Sequence, residues 1–315
     1  LRTFVLIGFA FALVYSVIKE KIKVPIALLG ISVLVVFDFW NVDRRYINDE
    51  NYQRQAVQSF LDPTPADQLI KNNPSQHYRV LNLNNPFNEA KTSANHSSLG
   101  GYHGAKMKRY QELIENCLSS NLAEMIGVLQ NGSKDLSKFT AVNMLNAQYL
   151  KFGDQANNVL PNDHSYGNAW FTESMISVKN SDEELAAVCS LVSQKMTVMN
   201  AEKFKSSQSV YDAAATIALE TYQPNLLKYR VNNQNAGFAV FSEIYYPLGW
   251  QATVDGVPTE IKQVNYVLRG LEIPANSQEV IFEFKPAAYF IGNKITAAFS
   301  ATVLLILGFG LFKTI

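Results

Sequence analysis

The segment Ser98–Gln111, Ser-Leu-Gly-Gly-Tyr-His-Gly-Ala-Lys-Met-Lys-Arg-Tyr-Gln, holds the densest set of side chains capable of chemistry. Gly100-Gly101 permits backbone geometry closed to other residues, and the spacing of Met107, Tyr110, Ile114 and Cys117 predicts an amphipathic helix over 105–118. A helix beginning near Gly104 offers free N–H groups and the positive end of its dipole. Lys106 and Arg109, three apart, then project from one side of it, close to Tyr102 and His103. Such a set suits a lipid-linked phosphate or a sugar, with the cations on the phosphate and the Tyr102 ring stacked on the sugar. The other reading is a glycine turn followed by a solvated helix, in which Lys108 pairs with Glu112 at i, i+4. At this level both stand.

Asp38, Asp43, Arg44 and Arg45 form a second group. Asp38 lies near the end of an apolar run, where an acid is costly and tends to be functional, although a place within a turn of the interface also lets water reach it. With its neighbours it makes a charged collar suited to a donor phosphate, or to a metal bound with that phosphate. As an Asp–Arg pair the collar would instead seat a domain on the membrane. His96 and His103 are seven apart, which is no zinc-site spacing, and no carboxylate completes them; His77 and His164 have no partner visible in sequence. No metal ligand is assigned in the chain. Trp250, Tyr245, Tyr246 and Tyr266 invite carbohydrate stacking, but alternation with polar neighbours favours Trp250 and Tyr266 as inward core residues. Cys117 falls on an apolar helix face as a buried thiol, or it pairs with Cys189; two cysteines make at most one bridge.

Three apolar runs frame these residues: Thr3–Ile18 and Ile295–Phe312 without charge, and Val24–Trp40 with only Asp38. Each is about the 17 to 25 residues that a helix needs to cross a hydrocarbon core. The cluster Lys19-Glu20-Lys21-Ile22-Lys23 between the first two predicts a helical hairpin, with Pro25 in the first turn of its second helix and the basic turn on the cytoplasmic side. Residues 41–290 are then extracytoplasmic, and Trp40, Phe39, Tyr289 and Phe290 fall at interfacial aromatic belts. The chain begins at Leu1 on the outer side, as the C-terminal part of a longer polytopic protein would.

Between the spans, Tyr78–Leu83 and Ala169–Val178 read as strands, and Thr140–Tyr149 and Asp182–Val192 as helices, an α/β arrangement over 41–205. Lys203–Ser209 reads as a linker. Over 213–289 the period changes to two, through Leu227-Tyr229-Val231, Trp250-Ala252-Val254, Val264-Tyr266-Leu268 and Val280-Phe282-Phe284. Turn signals stand at Asp255-Gly256 and Pro274–Ser277, which predicts a β-sandwich of jelly-roll or immunoglobulin-like type. The expected architecture is therefore an α+β membrane protein: a transmembrane hairpin over 1–40, an extracytoplasmic α/β domain, a β-sandwich, and a last transmembrane helix over 293–312.

Composition agrees with such a sum of parts. Basic and acidic residues number 27 each, charged residues make up 17%, hydrophobic ones 48%, and the mean hydropathy is −0.03. A neutral balance argues against a nucleic-acid partner, and low charge with 12% aromatic residues points to membrane or carbohydrate contact.

Three stretches in order, Asp38–Asn48, Ser98–Gln111 and Tyr246–Gly256, resemble the YfhO family of bacterial membrane proteins, in a form similar to its Bacteroidetes branch. The resemblance implies a polytopic protein of the cytoplasmic membrane, similar to GT-C glycosyltransferases. Those enzymes move a sugar from a polyprenyl-phosphate donor to an acceptor on the outer face, with inversion at the anomeric carbon. The partners implied are the bilayer, the polyprenyl-phosphate sugar and a cell-envelope glycan acceptor; a divalent metal belongs to the full-length expectation only. The catalytic acid of that superfamily usually lies in a first outer loop, upstream of this chain, so Tyr102, His103, Lys106, Arg109, Asp38, Asp43 and Arg44 are substrate-positioning candidates. The alternative is a non-catalytic, membrane-anchored module that docks a glycan or a protein.

Overall fold

The computed structural model describes residues 2–49, 60–75, 77–102, 104–206 and 214–314. They fall into two compact units, Leu1–Asp62 and Pro63–Ile315.

The first unit is a helical hairpin. Helix α1 (Arg2–Ile18) turns through Glu20, at φ 55°, into α2 (Val24–Tyr46), which carries Pro25 in its first turn, where no intrahelical N–H is lost. The helices lie so close that a Cβ on Gly30 would meet Leu13 Cδ1 at 2.9 Å. Apart from Ala27, the described side chains of the hairpin are not buried, as expected of a surface whose solvent is lipid. Of the three expected spans, two described helices are long and apolar enough to cross a membrane, Val24–Tyr46 and Ala287–Phe309. At 17 residues α1 is shorter.

The second unit mixes helices and four sheets. A sheet of order β2-β1-β3-β4 joins β1 (Arg79–Asn82), β2 (Ser97–Ser98) and β3 (Ala147–Lys151) in parallel, with β4 (Val159–Pro161) antiparallel at its edge. Around it run α3 (Pro65–Lys71), α4 (Lys91–Asn95), α5 (Lys108–Leu113), a π-helical turn over 114–118, α6 (Ser119–Gln130) and α7 (Thr140–Asn143). Two parallel strands, β6 (Ser174–Val178) and β7 (Met196–Asn200), flank α8 (Ser181–Cys189). The expected helix over 140–149 ends after one turn, because Asn146 at φ 59° redirects the chain into β3. The expected strand over 169–178 is two strands in different sheets, β5 (Ala169–Thr172) and β6, parted at Glu173.

Two antiparallel sheets follow, β13-β14-β10-β5 and β12-β11-β15-β9-β8, in which β8 spans Thr216–Gln223, β9 Leu226–Asn232, β10 Gly237–Ile244, β11 Trp250–Val254, β12 Val257–Thr259, β13 Lys262–Val264, β14 Leu268–Ile273 and β15 Glu279–Phe284. They share an apolar core in which Tyr229, Phe241 and Phe282 meet edge to face at centroid separations of 4.8 to 6.0 Å. Fully burying each such ring contributes about 1.5–3 kcal/mol. The four-stranded sheet is buried on both faces: Phe238 and Val240 of β10 enter the core of the α/β region, while Ala239 and Phe241 enter the second. This is why Gly-Phe-Ala-Val-Phe reads as an unbroken apolar run rather than an alternating one.

Since β5 pairs with β10, the boundary expected near residue 205 is crossed by a sheet. Residues 207–209 of the expected linker lie outside the described residues, and Phe204 just before them packs on the first core. Val264, Tyr266 and Leu268, read as one strand, are parted by a turn at Asn265 (φ 47°) and Tyr266 (φ 69°). Asp255-Gly256 forms the expected hairpin turn, at φ 49° and 79°. Helix α9 (Ala287–Thr314) ends the chain.

Candidate functional site

Open α/β sheets bind ligands beyond the carboxyl ends of parallel strands. Here that edge carries three loops: 83–90 after β1, 99–107 after β2 and 152–158 after β3. The glycine pair fits the second loop for steric reasons. A Cβ on Gly100 would stand 1.8 Å from the Pro86 carbonyl oxygen, and Gly101 has φ 136°. Tyr110 Oη donates to the Leu99 carbonyl at 2.6 Å, and Lys106 Nζ donates to the Phe87 carbonyl at 3.3 Å, so the loops after β1 and β2 are tied together. Tyr102 stands 77% exposed on this edge. His103 lies outside the described residues. Beside them the loops after β1 and β3 and the C-terminal end of α6 enclose a groove of about 630 Å³, lined by Leu83, Asn84, Leu129, Lys134, Phe152 and Leu160 among others.

The helix starts at Lys108 rather than near Gly104, which changes the expected constellation. Lys106 precedes it in the loop, and Arg109 turns inward instead of sharing a side with Lys106. The Arg109 guanidinium donates to Glu184 Oε2 at 3.1 Å, to Ser181 Oγ at 2.7 Å and to the Tyr266 carbonyl at 3.0 Å, and lies 4.5 Å from the centre of the Tyr266 ring. Tyr266 Oη donates to Glu112 at 2.5 Å, and the Tyr266 N–H to Glu184 at 3.2 Å. Burial raises the Glu184 carboxyl above its ordinary value, opposed by the Arg109 hydrogen bond. Arg109 thus pins α5, α8 and the β13–β14 turn together, with both Nη1 and Nη2 bonded within the protein. The surface pair Lys108–Glu112, 3.6 Å apart, belongs to the same helix.

The collar at the end of α2 also differs from expectation. Asp38 accepts from the Arg2 guanidinium, which also reaches the Asp38 carbonyl at 2.8 Å, so its partner is Arg2 rather than Arg44 or Arg45. Asp43, Arg44 and Arg45 occupy the last exposed turns, where the two arginines suit the negative end of the dipole. Among the described residues, no group of three or more His, Cys, Asp and Glu side chains is arranged to hold a metal.

His77, His96 and His164 do have partners, the last in Asp135 at 3.4 Å. His96 Nε2 lies 3.1 Å from Asp67, whose carboxylate also accepts from Lys151 Nζ at 2.7 Å; all three side chains are buried. His77 stacks on Tyr222 at 3.9 Å and lies 3.1 Å from Asn168 and 3.7 Å from Glu243. Burial, the largest influence, holds both imidazoles below the ordinary 6.5, outweighing the carboxylates beside them. Below that pH the unfolded chain binds more protons than the folded one. Stability should therefore be retained above pH 6.5 and lost as pH falls from there toward the folded values. Melting temperatures taken from pH 7.5 to 5 check this, and His77→Gln with His96→Gln should flatten the decline.

Among the aromatic candidates, Tyr266 is buried, as the core reading expects. Trp250 is half-buried, with the Arg269 guanidinium 4.2 Å from its ring centre. Arg269 is a buried cation between the two sheets, donating Nε–H to the Ile244 carbonyl at 3.1 Å while its Nη1 has no partner among the described residues. Sequence reasoning missed it; the one signal was an arginine inside an apolar strand. Tyr245, Tyr246, Pro247, Trp250 and Glu260 line a groove of about 600 Å³ on the outer side of Trp250.

Cys117 and Cys189 form a disulfide with Cα atoms 5.3 Å apart, joining the π-helical turn to the end of α8. Of the two readings open at the sequence level, the bridge is the one present.

Residues 188–296 match the family model of the bacterial membrane protein YfhO, from the end of α8 through β7 and all strands of the two antiparallel sheets except β5 into α9. Tyr246–Gly256, one of the three stretches that carry the resemblance, lies inside the match; Asp38–Asn48 and Ser98–Gln111 lie before it. The match assigns no bacterial branch. No curated protein and no solved structure matches the chain.

Proposed function

Since residues 188–296 carry the YfhO membrane-family match, we propose that this chain is the C-terminal portion of an integral membrane glycosyltransferase of GT-C type, acting on a polyprenyl-phosphate sugar and a cell-envelope acceptor. The observation that carries the reading is the match itself, which runs without a break from a folded, disulfide-bonded unit into an apolar helix of membrane length. Disulfides persist in oxidising compartments, so the bridge supports an extracytoplasmic place for that unit. The basic turn Lys19–Lys23 supports the same orientation by the positive-inside rule.

In this reading the chain's own residues orient substrate and take no proton. Tyr102 presents an exposed ring at the carboxyl edge of the parallel strands, and Lys106, in the same loop, adds a cation held to the Phe87 carbonyl. Asp38, Asp43 and Arg44 line the end of α2, where a donor phosphate at the interface would pass. Arg109 contributes indirectly, by fixing the helix behind the loop. The worth of such groups is positional: they hold reactants in a productive geometry.

A second reading, a non-catalytic module that docks envelope glycan, draws on the groove walled by Tyr245, Tyr246 and Trp250, whose aromatic faces suit sugar rings. A deletion strain compared with its parent separates the two. The glycosyltransferase reading expects a sugar substituent missing from the envelope and a smaller loss when Tyr102→Ala and Lys106→Ala are combined. Unchanged glycans in the deletion strain would remove that reading. Unchanged linkages with mislocalised glycan would favour the module.

A further inference from the structure

The loop Tyr245–Gly249 presents apolar side chains at the place where the last helix leaves the folded unit. Ile244–Trp250 contains no charge; Tyr246 is 41% exposed and Leu248 66%. Large apolar side chains held in water cost free energy, and a contiguous set beside a membrane-length helix invites a partner of matching chemistry.

The loop is fixed to the start of that helix. Lys285 N–H donates to the Gly249 carbonyl at 2.7 Å, and the Tyr246 ring lies 6.5 Å from that of Phe284. Gly249 has φ 114°, and a Cβ there would stand 2.9 Å from Pro286 Cβ, so the backbone passes directly against the residue before α9. Strand register places other turns at the same end. Trp250 opens β11 opposite Phe284, the last residue of β15, and Phe284 N–H donates to Asn225 in the β8–β9 turn at 2.9 Å. The Asp255-Gly256 hairpin, with Val257 65% exposed, is at the other end of the same sheet.

Helix α9 has 28 residues, about 42 Å at 1.5 Å per residue, which matches a bilayer of about 40–45 Å with its headgroup layers included. Its first turn, with exposed Tyr289 and Phe290, then lies at headgroup level, where aromatic residues are enriched. Residue 286 is one position before it. Whatever packs on Pro286 and stands exposed shares that depth.

We infer that the Tyr245–Gly249 loop is a second, peripheral contact with the bilayer, with Tyr246 and Leu248 in the headgroup layer next to Tyr289 and Phe290. The five-stranded sheet then stands with its 225/249/284 end on the lipid surface and its Asp255-Gly256 end away from it. The groove walled by Tyr246 and Trp250 opens beside that surface, within reach of a headgroup. This inference rests on α9 crossing the membrane, and the test separates the two.

In the full chain, with Trp40, Trp170 and Trp250 each changed to Phe, a single tryptophan is placed by Leu248→Trp, Val257→Trp or Phe299→Trp. Each variant is reconstituted into phosphatidylcholine vesicles carrying either a nitroxide on the headgroup or bromine on the acyl chains. The expected result is loss of about half or more of the emission at 248 to the headgroup nitroxide, little loss at 257, and strong quenching at 299 by the brominated chains. Quenching at 299 with equal, weak quenching at 248 and 257 overturns the loop contact and leaves the span intact. Absence of quenching at 299 overturns the span and the loop contact with it. Should the tryptophan-free background fail to fold, p-benzoylphenylalanine at 248 and at 257 in the native background reads the same contact. Photo-crosslinks to lipid are expected at 248 and not at 257, and the reverse pattern or equal labelling overturns the proposal.

Discussion

Asp67→Ala is expected to lower the unfolding free energy by about 3–5 kcal/mol, the range for stranding one charge of a buried pair. The carboxylate is wholly buried and accepts from Lys151 Nζ at 2.7 Å, from Thr64 N at 2.9 Å and from Thr64 Oγ1 at 2.7 Å, besides its contact with His96. Burial alone would raise its pKa. The Lys151 and Thr64 hydrogen bonds overrule burial and hold the carboxyl well below the ordinary 3.8. Its contribution is therefore present above pH 3.8 and lost as pH falls below that value. Removing Asp67 leaves Lys151, 4% exposed, with Thr64 Oγ1 at 3.3 Å and Asp154 at 3.6 Å. The capping box of α3 is lost as well, since Asp67 and Thr64 satisfy each other's backbone N–H groups. Denaturant unfolding of the detergent-solubilised chain, followed by circular dichroism, measures the effect. If Lys151→Met combined with Asp67→Leu restores much of the loss, the cost lay in the stranded charge rather than in the shape of the site.

Opening the disulfide should cost a similar amount. Cys117 and Cys189 are 72 residues apart in sequence, and a loop of that length closed in the unfolded chain corresponds to about 4 kcal/mol in the chain-entropy account. The variant with Cys117→Ala and Cys189→Ala is expected to unfold at correspondingly lower denaturant and to ignore added dithiothreitol, while the parent shifts toward the variant on reduction. A parent that responds no more than the variant would show that the bridge carries little of the stability. Mass spectrometry of the parent purified without reductant should find the pair oxidised, the result that the proposed extracytoplasmic place expects.

The parts of the fold legible in sequence are those that local chemistry decides. Asp255-Gly256 has one stable use between two strands, and the apolar runs 24–40, charged only at Asp38, and 295–312, uncharged, have one comfortable solvent. Where local pattern and tertiary geometry part, the sequence misleads. Val264-Asn-Tyr-Val-Leu268 alternates like a strand, yet Asn265 bonds to Val198 through both its backbone and its side chain, and that contact turns the chain. After glycine, Asn is among the residue types best able to take such a φ, so the hint existed but was outweighed by period. The candidate site shows the same limit. The position of Tyr102 at the carboxyl edge of the strands follows from parallel pairing of β1, β2 and β3, which no local window contains. A spacing of three on one helix puts Arg109 on the same side as Lys106, but its partners Ser181, Glu184 and Tyr266 are 72 to 157 positions away. Asp67 and Lys151, 84 apart, give no sequence signal at all.

The sheet with both faces covered has a consequence for how the second unit lives and fails. Neither core has an outer wall of its own on that side: Phe238 and Val240 close one, and Ala239 and Phe241, next to them on the same strand, close the other. A disturbance in β10 therefore reaches the α/β region and the paired sheets together, and a chain cut near residue 205 would open the first core to water. A wall held in common couples the two cores, so the α/β region and the paired sheets are expected to open together rather than as independent modules.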